Sequence, residues 1–378
     1  MNVPLYVPWL TNSDKKAVLS SLKNPQLTDG PLLRKFELEF AKYVGSRFAI
    51  GVSNGTSALH LSLLSIGIRS GDEVIIPDMT FIATANAVTL SNAKPICADV
   101  DSSLNISVKS IENKITKKTK AIIPVHFAGI SCKMDEIAKI ARKHNLKIIE
   151  DCAHSFGAFC NNKHVGTFGD AGCFSFYPTK NITTIEGGMI ITNSEKIAKK
   201  VASLRNHGMT RTLIERQRRS NPWLYDVVNP GYNYRLDEVR SALGLSQLKR
   251  CKEITTRRKQ AAKYYNKKLI HVKGIEPVNY QDEKNHVYHL YIIRIKKEFG
   301  FSRDIVHKRL YDKGIRTTVH YKPIHRFSYF NKLKLRDKKF PNTMLAYKEC
   351  LSLPIFPTIT RKQQDYVIKC LLELQKIK

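Results

Sequence analysis

Between residues 48 and 191, short apolar runs alternate with stretches of helical periodicity, and this alternation constrains the fold more than any other feature of the chain. The runs fall at 48–52, 73–76, 95–98, 121–125, 147–149, 171–176 and 188–192. Between them, 57–68, 106–115 and 134–144 place apolar residues three to four apart, the stripe a helix needs to pack on a sheet. Strand, crossover helix, strand is the pattern of a parallel α/β sheet.

Downstream the order changes. A helical pattern spans 237–269, with Leu243, Leu245, Leu248 and Ile254 as inward candidates and enough length to bridge two domains. A β-like run at 286–295, a helix at 302–313, a strand near 315–320 and helices around 343–350 and 361–376 then describe a smaller α+β unit. A chain of 378 residues is long for one core. The expected division is a large domain over residues 1–245 and a small C-terminal domain, with the linking helix, over 246–378. The polar stretch 210–221 reads as a mobile surface loop.

Charge is the unusual part of the composition. Sixty-three Lys and Arg against 32 Asp and Glu leave +31. Residues 1–200 carry 24 basic and 17 acidic side chains, and residues 201–378 carry 39 and 15, so the excess sits in the second half. Such an excess suits a phosphate-bearing substrate, a nucleic acid or a solvated lysine-rich surface. Only 216–219 and 332–339 cluster their basic residues, and neither interleaves aromatics as a single-strand platform does, so nucleic acid is not expected. Cys97, Cys132, Cys152, Cys160, Cys173, Cys251, Cys350 and Cys370 form no CxxC pair and read as reduced core residues, and no metal site is expected. No basic-then-apolar leader and no run of about 18 apolar residues is present, which points to a soluble, cytoplasmic protein without a membrane role.

In parallel α/β sheets ligands bind beyond the carboxyl ends of the strands. Four segments there carry chemistry. Ser53-Asn54-Gly55-Thr56-Ser57 runs from a strand into a helix start, where free N–H groups and the helix dipole suit a phosphate, although a Ser or Thr N-cap explains it equally well. Ile149-Glu150-Asp151 delivers a carboxylate into the expected crevice. It either caps the next turn or faces a cation such as a pyridinium nitrogen, and His154, three residues on, either holds a ligand hydroxyl or braces Asp151. Ser175-Phe176-Tyr177-Pro178-Thr179-Lys180, followed by Glu186-Gly187-Gly188, sets one lysine between two apolar strands. Desolvation there disfavours the ammonium form and makes the amine a nucleophile able to form a Schiff base. Finally, Asn233-Tyr234-Arg235 precedes the long helix and could reach a phosphate.

Together these segments resemble the pyridoxal-phosphate sugar aminotransferases of the DegT/StrS type. The likeness runs from Leu27-Thr28-Asp29-Gly30-Pro31 through Gly71-Asp72-Glu73-Val74-Ile75, Thr80-Phe81 and Val125-His126-Phe127-Ala128-Gly129 to His320-Tyr321-Lys322-Pro323-Ile324-His325 and Leu351-Ser352-Leu353-Pro354. It implies an aspartate-aminotransferase-like α/β fold of type I, with a mainly parallel sheet in the large domain and a smaller α+β domain. It makes Lys180 the lysine that carries pyridoxal 5'-phosphate and Asp151 the partner of its ring nitrogen. Phe81 stacks on the ring, His154 lies near the phenolic oxygen, and Gly55, Thr56, Ser57 and Ser175 hold the phosphate. Asn233 reaches that phosphate from the other subunit of a homodimer with shared sites. Related dehydratases carry His where Lys180 stands, so transfer is expected and dehydration is not. The resemblance implies L-glutamate as donor and a nucleotide-linked 4-keto-6-deoxy sugar as acceptor, as in the viosamine and perosamine synthases. A 3-keto sugar substrate and a non-catalytic cofactor-binding regulator are the alternatives. His320, Tyr321, His325 and Arg235 are candidate substrate contacts, with a structural role open for each.

Overall fold

The computed structural model describes residues 1–211, 220–278 and 285–376. Helices α1 (Asn12–Ser21) and α2 (Pro31–Val44) precede the alternating region. That region runs β1 (Phe48–Val52), α3 (Gly55–Ser65), β2 (Glu73–Pro77), α4 (Ile82–Leu90), β3 (Lys94–Ala98), α5 (Val108–Glu112), β4 (Thr119–Ile122), α6 (Met134–Lys143) and β5 (Lys147–Asp151). A small hairpin, β6 (Phe159–Cys160) and β7 (Lys163–His164), leads to β8 (Ala171–Ser175), β9 (Gly188–Thr192) and α7 (Glu195–Leu204).

Seven of these strands form one sheet in the order β1-β9-β8-β5-β4-β2-β3. All are parallel except β9, which runs antiparallel to both neighbours. The β8–β9 connection, residues 176–187, contains no crossover helix, the element that usually carries a parallel return. Ile50, Val74, Ile76, Ala121, Ile149 and Ile190 pack on one face beneath α3, α4 and α7, while Ile75, Ile122 and Ile148 pack on the other against α6. The α/β architecture with a mostly parallel sheet is therefore the observed one.

The remainder comprises α8 (Glu238–Lys249), α9 (Cys251–Leu269), β10 (Ile275–Pro277), β11 (Tyr291–Ile295), α10 (Arg303–Asp312), α11 (Pro341–Glu349), β12 (Cys350–Leu353) and α12 (Arg361–Lys376). Strands β10, β11 and β12 form an antiparallel sheet whose residues Ile293, Leu351 and Leu353 share a core with Tyr265, Leu310 and Leu371.

Three expectations need correction. The helix expected over 237–269 is two helices, broken at Arg250 (φ −108°, ψ 5°). There the guanidinium bonds Asp14 at 2.5 Å, and the Trp9 ring lies beneath both Arg250 and Arg257, so interactions with the N-terminal segment hold the bend. The strand expected at 315–320 makes only isolated pairings, Ile315 with Val3 and Thr318 with Ser352, because the chain turns toward Lys322-Pro323 and a proline cannot continue a ladder. Of the run 286–295 only Tyr291–Ile295 is strand, since Val287 and Leu290 donate instead to the carbonyls of Gly129 and Ala128. Most of the loop expected at 210–221, including the basic cluster 216–219, lies outside the described residues. Seven cysteines are buried and Cys160 is half-buried, with no disulfide among them. Among the described residues no helix is long and apolar enough to cross a membrane.

Candidate active site

The ends of β5 and β8, the starts of α3 and α4 and the loops that carry Lys180, His289 and Tyr321 bring the site together. At the end of β5 the Asp151 side chain is buried, 5% exposed. Its Oδ2 accepts from the Thr84 hydroxyl at 2.9 Å, and its Oδ1 accepts from the Ala153 N–H at 3.1 Å. Thr84 lies on α4, within 2.9 Å of the Thr80 hydroxyl. The orienting group for Asp151 is thus Thr84 and not His154, and the turn-capping role holds alongside any other. Burial raises the Asp151 pKa, opposed by these hydrogen bonds and by the Lys180 charge. A carboxylate made uncomfortable in this way is stabilised by any cation brought against it.

Lys180 stands in the β8–β9 loop, its backbone N–H donating to Tyr177 O at 2.9 Å. Loss of water lowers its pKa to about 8, opposed by Asp151. At pH 7.5 roughly a quarter of such amines are neutral, against about one in a thousand at the ordinary lysine value. Lys180 in turn helps hold His154, His289 and His320 in the neutral form, although burial is the larger cause for each. His320 is lowered to about 3 and its Nδ1 lies 2.8 Å from the Ser352 hydroxyl. The Tyr321 hydroxyl lies 3.1 Å from His154 Nε2, and burial and then Asp151 push its pKa up. The Phe81 ring, 55% exposed, flanks Tyr321 at 5.8 Å.

The start of α3 meets the end of β8. Asn54 is the N-cap, its side chain accepting from the Ser57 N–H at 2.8 Å and the Ser57 hydroxyl at 2.9 Å, so neither Thr56 nor Ser57 serves as the cap. A Cβ at Gly55 would lie 2.8 Å from Ser175 Cβ, so glycine alone lets these two backbones approach. The start of α3 thus stands directly against Ser175, and a helix N-terminus is a place suited to an anion.

Two expected contacts sit differently. Both ring nitrogens of His325 have carboxylate partners, Asp78 Oδ2 at 2.6 Å and Asp337 Oδ1 at 2.8 Å, so it clamps the β2–α4 loop and is not available to a substrate. Arg235 donates to Asn206 Oδ1 at 2.6 Å, while Asn233 is exposed. Thr84 escaped the sequence reading; its only signal was the Thr80–Thr84 spacing at a helix start.

The family's sequence profile, DegT/DnrJ/EryC1/StrS aminotransferases, matches residues 8–372. The chain belongs to this family. Its relatives include the spore coat polysaccharide biosynthesis protein SpsC of Bacillus subtilis, 37% identical across 99% of this chain and 97% of that one. Among solved structures, Helicobacter pylori PseC, an aminotransferase of pseudaminic acid biosynthesis, superimposes with a TM-score of 0.92 at 30% identity, covering 100% of both chains. Bacillus subtilis NtdA, solved with bound cofactor PMP, superimposes with a TM-score of 0.86 at 31% identity, covering 97% of this chain and 83% of that one. In this aminotransferase, the dense cluster of ionisable groups around Lys180 is the region whose geometry invites chemistry.

Proposed function

We propose that this aminotransferase uses pyridoxal phosphate to move an amino group from L-glutamate to a nucleotide-linked 4-keto-6-deoxy sugar, yielding a 4-amino-4,6-dideoxy sugar nucleotide. One observation carries the reading: a buried carboxylate, Asp151, and an amine with lowered pKa, Lys180, act on each other's ionisation across one site.

The residues fit the cofactor. Gly55 lets the start of α3 stand directly against Ser175, where a helix N-terminus suits a phosphate, Asp151 forms no salt bridge among the described residues, and the buried Nδ1 of His154 has no partner among them. Gly55, Thr56, Ser57 and Ser175 would hold the phosphate, Asp151 the ring nitrogen, Phe81 the ring face and His154 the phenolic oxygen. When bound, the cofactor supplies an electron sink that makes the donor's α-proton removable. Lys180 Nζ, neutral often enough near neutral pH, takes that proton and returns one in the reverse stage. Asp151 keeps its negative charge against the ring nitrogen, held by the Thr84 and Ala153 bonds. Tyr321 would flank the ring beside Phe81.

Asn233 would complete the phosphate site of a second copy. The exposure of Trp223, Leu224, Val227 and Val228 just before it supports a homodimer with shared sites. His320, Tyr321 and the basic second half would face the sugar nucleotide.

The decisive experiment adds glutamate to the cofactor-loaded protein, follows conversion of the cofactor from its aldehyde to its amine form, then supplies UDP-, dTDP- and GDP-linked keto sugars and identifies the product by mass and NMR. Lys180→Ala should abolish both stages while the fold survives. Turnover retained in that variant would sink the proposal.

A further inference from the structure

Ser352 buries a hydroxyl in an otherwise apolar strand. It is 1% exposed on β12, in the run Cys350-Leu351-Ser352-Leu353. Side chains alternate between the faces of a strand. Leu351 and Leu353 enter the core of the small sheet, which leaves Cys350 and Ser352 on the opposite face, where Cys350 packs with Leu290 and Ile292 and Tyr321 borders the same cluster. A hydroxyl on such a face is costly to bury unless it is hydrogen-bonded. Among the described residues the Ser352 hydroxyl has a single hydrogen-bond partner, His320 Nδ1 at 2.8 Å.

The strand holds that hydroxyl firmly. Ser352 pairs with Ile292 of β11 on one side. On the other, its N–H donates to Thr318 O at 2.9 Å and its carbonyl accepts from Thr318 N–H at 3.3 Å, two residues before His320. The Tyr321 ring stands at 88° to the His320 ring, centres 4.8 Å apart, and bounds the imidazole on a second side. Burial, with a smaller contribution from Lys180, lowers the His320 pKa to about 3 and keeps the ring neutral. Its other nitrogen, Nε2, makes no hydrogen bond to a described residue and is not sealed from solvent.

A neutral imidazole carries one N–H and one lone pair. With the proton on Nδ1, the ring would donate to Ser352 and leave the hydroxyl hydrogen, deep in an apolar face, without an acceptor. With the proton on Nε2, the hydroxyl donates to Nδ1, that hydrogen is paired, and the N–H at Nε2 is free for a ligand. The second arrangement wins, because an unmade buried bond is the larger cost. We infer that Ser352 is a positioning residue: it fixes His320 as an uncharged N–H donor, presented through Nε2 to an oxygen of the sugar nucleotide. The inference rests on the proposed place of His320 beside that substrate and goes beyond it by naming the group that sets the ring's polarity and the acceptor chemistry it takes.

The test has a spectroscopic and a kinetic arm. In the full chain with 15N-labelled histidine, comparison with His320→Ala identifies the ring's NMR resonances. Wild type should show the proton on Nε2 and Nδ1 at the shift of a hydrogen-bonded acceptor, and in Ser352→Ala the Nδ1 resonance should move to that of an unbonded nitrogen. In the cofactor-loaded enzyme, with glutamate saturating and the keto sugar nucleotide that turns over as the varied substrate, His320→Ala should raise KM about tenfold and Ser352→Ala about fivefold, with kcat changed less than about twofold. Added to His320→Ala, Ser352→Ala should raise KM less than about twofold more, because residues that act through one another are non-additive. Ser352→Cys, a weaker donor, is the second variant should alanine perturb folding, and a melting curve checks each. A proton on Nδ1, an unmoved Nδ1 resonance in a folded variant, or multiplicative KM losses would overturn the inference. If the wild-type chain is inert to glutamate and to every keto sugar nucleotide, the proposed function falls, and the NMR comparison still decides the role of Ser352.

Discussion

His164→Gln offers a sharp test of how burial controls ionisation in this protein. His164 is 3% exposed in β7, its Nδ1 2.6 Å from Val165 O and its Nε2 accepting the Gly157 N–H at 2.9 Å. Protonating Nε2 would set two N–H groups against each other, and burial, the larger cause, lowers the pKa from 6.5 to about 4 despite the Val165 carbonyl and Glu150. A depressed folded value means that the contribution to stability is fully present above pH 6.5 and is lost as pH falls toward 4, since the unfolded chain gains a proton that the native one refuses. Each such histidine drains about 1.4 kcal/mol per pH unit in that window, or about 2 kcal/mol between pH 7 and pH 5. A Gln amide offers a donor and an acceptor but does not titrate. Urea unfolding of cofactor-free wild type and variant at the two pH values should show the wild type losing about 2 kcal/mol more. Other buried histidines, His286 among them at about 3, affect both proteins equally and cancel in the comparison. Parallel pH dependences would refute the reasoning.

Four further outcomes are expected. Thr84→Val removes the hydroxyl that donates to Asp151 and should slow the glutamate stage roughly tenfold or more, the worth of a hydrogen bond to a charged group, and lower the stability of the cofactor-free protein by about 1–3 kcal/mol because a buried acceptor loses its donor. Gly55→Ala drives a methyl against Ser175 and should weaken cofactor binding at least about tenfold in a titration, without altering the amine chemistry of Lys180. In the cofactor-free protein, competitive labelling should find Lys180 modified with a midpoint near pH 8, and a midpoint in the ordinary lysine range would contradict its desolvated setting. Asp78→Asn breaks a buried pair with His325 and should cost about 3 kcal/mol by calorimetry. Burial lowers the His325 pKa, but its bonds to Asp78 and Asp337 outweigh this and raise it, so its stabilisation is present below 6.5 and fades as pH climbs through the raised folded value.

Much of the architecture could be read directly from local pattern. Residues 48–52 and 188–192 are strands over those bounds because a buried apolar run leaves no alternative, and the polar Asp151 and Lys180 stand out against such runs. What escaped depends on partners distant in sequence. The antiparallel sense of β9 goes with a connection that holds no helix, and the break at Arg250 follows from Trp9 and Asp14, more than 200 residues earlier. Thr84 and His289 look ordinary in the sequence, since only the folded chain sets one on Asp151 and the other on His154. His325 shows the converse: it sits in a motif near Tyr321, yet two carboxylates claim its ring.

The cysteine distribution gives the enzyme a built-in reporter. With seven thiols buried, Cys160 is the accessible target for a thiol-selective dye under native conditions. It pairs across the small hairpin with Lys163, next to His164, so a fluorophore placed on the unaltered chain would sense the loosening that acid brings to that corner.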